Sequence, residues 1–323
     1  MAGLLDSVLA QPTAVGTLQR ALASDRVHHA YLFDGPVGVG KEMAAFGLAQ
    51  ALVCERREGA NACGSCSACK RAIPDADGKS RHPDIIIIER GLYDPSTIGR
   101  GRNAETQEIS IDQIRTLVLA RAAYPPHEGR AKVIVIRRAE ELSISAANAL
   151  LKTLEEPIAK THFVLLTTAL GALLPTVQSR SQRVRFGPLP DAVLEQIVVA
   201  KGIAPDVARS VVPLAEGSVE QALARCDPDE NERREAFVKA AARALESGDF
   251  GAALELAEEA KKDKGELAGR INALGAWLNG RAKAGSRRDA ARFAFIDQAL
   301  RDLEFNASAQ LVVESMLMRM RAV

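Results

Sequence analysis

The sequence lacks any apolar run long enough to cross a membrane, and its 323 residues carry a net charge of only +1. A membrane-spanning helix needs about 20 consecutive apolar residues, so we expect no membrane anchor. A nearly neutral chain is unsuited to wrapping nucleic acid over its whole surface, so any DNA contact must come from local patches or a larger assembly. The N-terminus, Met-Ala-Gly-Leu-Leu-Asp, lacks the basic and apolar regions of a signal peptide, which predicts a cytoplasmic protein.

Cysteine is also scarce, but four of the five cysteines lie close together, at Cys54, Cys63, Cys66 and Cys69. Disulfide pairing is the alternative interpretation, and a reducing compartment disfavours it. Two-residue gaps allow neighbouring thiolates to converge on one tetrahedral ion, so we predict a structural zinc site. Four sulfur ligands would close the coordination shell and leave no position for catalysis. A free zinc-dependent DNA-binding module is disfavoured because the segment lacks a basic, aromatic surface.

One stretch, Gly35-Pro-Val-Gly-Val-Gly-Lys41-Glu42, resembles a phosphate-binding loop with one altered position. In such loops backbone N–H groups cradle phosphates at a helix N-terminus, the Lys reaches the terminal phosphates, and a Ser or Thr holds Mg²⁺. Gly35, Gly38, Gly40 and Lys41 fit this pattern, but Glu42 occupies the hydroxyl position. A carboxylate there repels phosphate. A chance match of a glycine-rich turn is the alternative interpretation.

Buried-strand patterns alternate with helical patterns through the first part of the chain. Strands are predicted at 31–33, 82–89, 132–136 and 163–167, and helices at 42–52, 111–123 and 143–156. This alternation around a phosphate-binding loop predicts a parallel sheet with right-handed crossovers. Residues 90–107 indicate a surface loop. From residue 191 onward only helical patterns occur, and the length predicts two or three domains.

The catalytic acids of a P-loop ATPase are missing after the third predicted strand. That strand normally ends in an acidic residue that holds Mg²⁺, and in one class a Glu follows and orients the attacking water. Here the strand at 132–136 runs into Arg137 and Arg138, which cannot perform either task. Glu140 and Glu141 come three residues late, and we expect them to face solvent. Together with Glu42, these changes look like independent losses and predict that hydrolysis is absent.

Several motifs in one order carry a resemblance to a known family. They are residues 29–41, the four cysteines, Asn148-Ala-Leu-Leu-Lys-Thr-Leu-Glu-Glu-Pro157, Ser179-Arg180-Ser181 and residues 306–319. This layout resembles the bacterial DNA polymerase III clamp loader, an AAA+ family. The resemblance implies an α/β fold, with a RecA-like P-loop domain, a parallel sheet and an inserted zinc module. It also implies a small helical lid and an all-α collar. The expected bounds are 1–186 with the zinc module at about 54–69, 187–226 for the lid, and 227–323 for the oligomerising collar.

Within that family, the altered positions favour the non-hydrolysing delta-prime type of subunit over the tau/gamma ATPase. Motor subunits carry Gly-Ser-x-Arg in the second helical region, whereas here Gly217-Ser218-Val219 precedes Glu220. The family's Ser-Arg-Cys motif is matched by Ser179-Arg180-Ser181. The resemblance implies that Arg180 acts in trans as an arginine finger on a neighbour's ATP; a surface salt bridge is the alternative.

The partners that the resemblance implies are the tau/gamma and delta subunits, with the sliding clamp and primed DNA reached through the assembly. A catalytically active tau/gamma-type ATPase is the alternative function. Lys41 leaves binding of ATP or ADP without hydrolysis open.

Overall fold

The computed structural model describes residues 3–98, 108–157, 160–247, 250–262, 267–304 and 307–323. These residues form two compact units, one comprising 1–202 and 212–220 and the other 203–211 and 221–323. Half of the loop predicted at 90–107, residues 99–107, lies outside the described residues, and Pro95–Ile98 in the other half forms a short 3-10 helix. The division into a RecA-like P-loop domain, a helical lid and a helical collar stays a prediction.

The first unit is built on a five-stranded parallel sheet. Its strands are β1 Ala30–Asp34, β2 Ile85–Ile88, β3 Lys132–Ile136, β4 Thr161–Thr167 and β5 Gln182–Arg185. They lie in the order β2-β3-β4-β1-β5, and every pairing is parallel. The predicted α/β class and parallel sheet are therefore confirmed. β5 was not predicted.

Helices cover both faces of this sheet. The helices of the first unit are α1 Pro12–Ala23, α2 Lys41–Val53, α3 Ser67–Ala72, α4 Ile111–Gln113, α5 Ala120–Ala122, α6 Ile144–Glu155, α7 Pro175–Gln178 and α8 Asp191–Ala200. Helices α1 to α3 pack on one face, where Phe33 and Val135 are fully buried. Helices α4 to α6 pack on the other, where Leu32 and Ile134 are buried. Successive strand residues thus enter opposite cores, which explains the continuous apolar runs.

Local capping signals explain where two of these helices begin. The Ser110 hydroxyl accepts the N–H of Gln113, and the Gln113 side chain accepts the N–H of Ser110, which is a capping box. The Ser143 hydroxyl caps α6 by accepting the N–H of Ala146. Between α4 and α5 the chain is a π-helix over Ile114–Leu119, so the helix predicted at 111–123 is not uniform.

All secondary-structure elements in the described part of the second unit are helices. Its helices are α9 Pro205–Val211, α11 Pro228–Ser247, α12 Phe250–Lys262, α13 Leu267–Lys283, α14 Arg287–Glu304 and α15 Ala309–Arg321, while α10 Val219–Cys226 begins in the first unit. Leu274, Leu278 and Met316 are buried in its core. These helices agree with the helical patterns predicted from residue 191 onward, although the apolar Leu311 of α15 is 63% exposed. No described helix is long and apolar enough to span a membrane.

Candidate functional site

The glycine-rich loop joins the carboxyl end of β1 to α2, as a phosphate-binding loop requires. A Cβ on Gly35 would collide with the carbonyl oxygen of Phe186, so no larger residue fits there. Gly38 has a φ of 70°, and a Cβ there would lie 2.7 Å from the backbone nitrogen of Glu220. Gly40 forms the left-handed N-cap of α2, with a φ of 99°. The three glycines thus have conformational and steric reasons to be glycine.

The ammonium of Lys41 is turned back onto its own loop. Its Nζ lies 2.5 Å from the carbonyl oxygens of both Gly35 and Pro36. The residue is only 8% exposed. Burial lowers the pKa of Lys41, and the negative charges of Glu140, Asp34 and Glu220 act in the opposite direction. An incoming phosphate would therefore meet three carboxylates around the Lys41 ammonium, which already donates hydrogen bonds to two carbonyl oxygens.

The residue at the hydroxyl position and the first residue after β3 contact each other. Arg137 forms ion pairs with Glu42 and with Glu89, the latter at 2.8 Å. Its side chain is 14% exposed, and its guanidinium carbon lies 5.6 Å from the centre of the Phe46 ring. The sequence suggested that the changes at 42 and 137 are independent losses. The contact between the two side chains shows that they are not. They form one charge-paired unit in which a cationic side chain lies against the carboxylate that replaces the Mg²⁺-binding hydroxyl.

The expectation that the two glutamates after β3 face solvent is wrong for Glu141, which is buried, and Glu140 is half-buried. The carboxylate of Glu140 accepts hydrogen bonds from the backbone N–H and hydroxyl of Thr168. Glu141 is 9% exposed and forms ion pairs with Arg90 at 3.4 Å and Arg138 at 3.5 Å. Burial raises the pKa of Glu141, although both arginines oppose this effect. These carboxylates serve contacts within the fold.

A second segment covers the loop on the side of Gly38. The backbone N–H of Val219 donates to the carbonyl oxygen of Gly38 at 3.2 Å, and Ser218 is fully buried. Glu220 is thus placed beside the loop at the position where motor subunits of the resembled family carry an Arg. Its charge is negative where a phosphate needs a cation.

The four predicted zinc ligands converge in space. The sulfur atoms of Cys54, Cys63, Cys66 and Cys69 all lie within 4.8 Å of one another, and none of them forms a disulfide. The Cys63 and Cys69 sulfurs are 3.9 Å apart. A tetrahedral ion with Zn–S bonds of about 2.3 Å requires sulfur separations of about 3.8 Å. The cluster is therefore compatible with a metal of the size and preference of zinc.

Backbone donors are already directed at three of these sulfurs. The N–H groups of Cys63, Cys66 and Cys69 lie 3.3, 3.3 and 3.4 Å from the sulfurs of Cys54, Cys63 and Cys66 respectively. Hydrogen bonds from the backbone of Ser65 and Cys66 lower the pKa of Cys63 to about 5. Burial raises the pKa of Cys69, so binding a divalent cation here would release protons.

Arg180 lies near the N-terminal ends of the strands, and the loop lies at their C-terminal ends. It precedes β5, whose first residue, Gln182, pairs with Tyr31 near the start of β1. The loop follows the other end of β1. The Arg180 guanidinium forms an ion pair with Glu155, with Nε 2.6 Å from the carboxylate oxygen, and donates to the carbonyl oxygen of Thr176 at 2.9 Å. The salt bridge considered as the alternative is therefore present in this chain.

Three contact residues were missed from the sequence. Glu89 completes the Arg137 pairs, Asp34 accepts an ion pair from Arg183, and Glu155 holds Arg180. Glu155 lies inside the Asn148–Pro157 motif, so the motif could have directed attention to it. No sequence signal links Glu89 to residues 42 and 137.

Comparison with known proteins places the chain in a family. The family model described as "DNA polymerase III, delta subunit" matches residues 10–190, more than half of the chain. DNA polymerase III subunit delta' of Bacillus subtilis is 33% identical over 199 residues, covering 62% of this chain and 54% of that protein. DNA polymerase III subunit gamma/tau of Mycobacterium tuberculosis is 34% identical over 211 residues, covering 64% of this chain and 33% of that protein.

The matched region is thus about half the length of the delta' relative and a third of the gamma/tau relative. A crystal structure of a DNA polymerase III, gamma subunit-related protein from Thermotoga maritima aligns with a TM-score of 0.51 at 20% identity, covering 95% of this chain and 98% of that one. That likeness shows a shared fold. The family resemblance predicted from the motifs is confirmed. The chain belongs to the DNA polymerase III, delta subunit family.

Proposed function

We propose that this chain is a clamp-loader subunit of the AAA+ class that does not hydrolyse ATP, of the delta-prime type. The observation that carries the proposal is the ion pair between Glu42 and Arg137. Catalysis needs a metal and an activated water in the space between the loop and the end of β3. In this chain an arginine paired to two carboxylates lies there. The arrangement supports a rigid structural element in place of a catalytic one.

The electrostatics of the loop support the same proposal. Lys41 is buried, donates to two carbonyl oxygens and is surrounded by acidic groups at Glu140, Asp34 and Glu220. A triphosphate would have to displace these contacts and tolerate the carboxylates. We propose that the loop binds ATP or ADP weakly or not at all.

Arg180 supports a role in a neighbour's site. A five-residue strand spans about 16 Å, so a residue before β5 and a loop after β1 lie at opposite ends of two parallel strands. Arg180 therefore acts on a nucleotide in trans, since its own loop lies beyond its reach. Phosphoryl transfer needs positive charge at the transferred group, which a guanidinium supplies with bidentate geometry.

The relatives carry the names of DNA polymerase III subunits, which supports a role for this chain in an assembly of that kind. We propose that the chain assembles with tau/gamma and delta subunits and helps them place a sliding clamp on primed DNA. The four-cysteine cluster would hold zinc as a structural ion. In this proposal the first unit contributes the sheet and cysteine module, and the helices from 227 onward form an oligomerising collar.

A tau/gamma-type ATPase is the second candidate, because gamma/tau and delta' relatives are similarly identical to this chain. The two are separated by ATP turnover of the purified chain, with Lys41→Ala as the background control. We expect no turnover above that control. A Glu42→Thr variant should also stay inactive, because Arg137 remains where an acid is needed. Turnover that depends on Lys41 would identify a motor subunit.

The trans role is tested in the reconstituted assembly. Arg180→Ala should lower DNA- and clamp-stimulated ATP turnover, and Arg180→Lys should rescue it poorly because the ammonium lacks the planar fork. Arg185→Ala is the matched control, since Arg185 is an exposed arginine at the other end of β5. Gel filtration checks that each variant assembles. Equal turnover by wild type and Arg180→Ala would leave Arg180 as a structural charge.

A further inference from the structure

The donors of Arg180 are occupied by acceptors of its own chain. Glu155 Oε1 accepts from both Nε and Nη2, and the carbonyl oxygen of Thr176 accepts from Nη1. Ser179 Oγ lies 3.3 Å from the same Nη1. A guanidinium held in this way is turned along its own surface. To contact a phosphate on another molecule it must first exchange at least one of these acceptors.

The position of Glu155 makes it a strong local acceptor. It is the last residue of α6, and the C-terminal end of a helix attracts cations through its unpaired carbonyl groups. The carboxylate adds a full negative charge at the same end. Arg180 therefore bonds the Glu155 side chain and lies near the partial negative charge of the helix end.

The pair is nevertheless open to exchange. The Arg180 side chain is 32% exposed and that of Glu155 is 47% exposed, whereas Arg137, in the charge-paired unit, is 14% exposed. Water reaches both Arg180 and Glu155, which limits how strongly these two side chains attract each other. The Arg180–Glu155 pair can break without leaving a buried charge unpaired. The same is not true of Arg137.

Space for a second acceptor lies directly beside the pair. An open depression of about 320 Å³ is bordered by Glu155 and Arg180, and its other lining residues include His28, His29, Ser179 and Gln182. Leu154 also lines the depression, and Arg180, the two histidines, Ser179 and Gln182 are among the groups there that can donate a hydrogen bond to a hydrated anion. A phosphate presents several oxygens and more charge than one carboxylate, and it accepts the guanidinium fork bidentately.

We infer that Glu155 is a positioning residue that holds Arg180 on its own subunit until a phosphate of the neighbouring subunit's nucleotide displaces it. This inference rests on the proposed trans role of Arg180. Because carboxylate and phosphate compete for one guanidinium, Glu155 raises the ATP concentration at which the neighbouring site is half-saturated. Once ATP is bound, Arg180 has already exchanged, and the turnover rate does not depend on Glu155.

The test is a comparison of Glu155→Gln with Glu156→Gln in the reconstituted assembly. Gln keeps the shape and one acceptor oxygen of Glu155 but removes its charge. Glu156 is the adjacent, exposed glutamate, so Glu156→Gln is the control that removes the same charge from the same helix end. ATP turnover is measured against ATP concentration for each assembly. Subtracting the curve for Arg180→Ala isolates the site that Arg180 completes.

For Glu155→Gln we expect the half-saturating ATP concentration in this difference curve to fall about two- to fivefold, the range that exposed ion pairs contribute to an equilibrium. The plateau should stay unchanged, and Glu156→Gln should match wild type. In an Arg180→Ala background, Glu155→Gln should have no effect. An unchanged half-saturation with an intact Arg180 contribution would refute the role of Glu155 alone. A difference curve of zero would refute the trans role of Arg180, and the inference with it.

Discussion

Replacing Arg137 with Met tests whether the charge-paired unit stabilises the loop. The substitution removes two ion pairs but keeps a long apolar stem against Phe46. Removing one partner of a buried pair costs about 3–5 kcal/mol. Glu89 is 29% exposed and Glu42 is 51% exposed, so water screens both carboxylates. We therefore expect Arg137→Met to lower the free energy of unfolding by about 1–3 kcal/mol.

The neighbouring arginine is the control for this measurement. Arg138 is 58% exposed, and its partner Glu141 also pairs with Arg90. Arg138→Met should therefore change the free energy of unfolding by no more than about 0.5 kcal/mol. Urea unfolding followed by far-ultraviolet circular dichroism measures both variants. A double-mutant cycle with Glu42→Gln should give a coupling of about 0.5–1 kcal/mol. Equal effects at 137 and 138, or no coupling, would refute the reasoning.

Three further predictions concern other parts of the chain. Elemental analysis of protein purified without chelators should find one zinc per chain, and Cys69→Ser should remove it; absence of stoichiometric metal in the wild type would contradict the site. Burial lowers the pKa of His162 in the folded protein. As the pH drops below the ordinary histidine pKa of about 6.5, the unfolded state therefore binds more protons than the folded state, and the free energy of unfolding falls. His162→Gln should flatten this fall between pH 7.5 and 5.5. Arg292 is 3% exposed and donates to the carbonyl oxygens of Met320 and Leu245 and to Asp289, so Arg292→Met should destabilise the second unit by about 2–4 kcal/mol, as followed by fluorescence of the single tryptophan, Trp277.

The elements predicted correctly are those whose burial shows in a short run of sequence. β2 is four consecutive isoleucines, and each strand from β1 to β4 is buried along almost its whole length. β5 was missed because it is an edge strand in which only Val184 is buried, between exposed polar residues. Its pattern is short and polar, and its strand conformation comes from pairing with β1. Tertiary contact decided that element.

The same distinction separates the predicted site residues from the missed contacts. The cysteines converge because two-residue gaps keep three of them on one short segment. The contact between Glu42 and Arg137 joins residues 95 positions apart, and the sequence showed only that each position was unusual. Likewise, the burial of Glu141 depends on Arg90 lying beside it. The Arg90–Glu141 and Glu89–Arg137 pairs follow from the sheet order, which brings the ends of β2 and β3 together, whereas Glu42 reaches Arg137 from α2, which packs against β3.

The persistence of Lys41 in a loop without catalytic partners has a structural explanation. Its ammonium bridges the carbonyl oxygens of Gly35 and Pro36, and so fixes the turn that leads into α2. That turn presents the carbonyl oxygen of Gly38 to the N–H of Val219, which places Ser218 and Glu220 against the loop. Removing the ammonium would take this shared donor away from the half-buried Gly35 and the exposed Pro36, a cost that falls on the loop geometry whether or not a nucleotide binds. A lysine in this motif is therefore evidence of a loop geometry, and evidence of phosphate binding only where the surrounding charges leave it free.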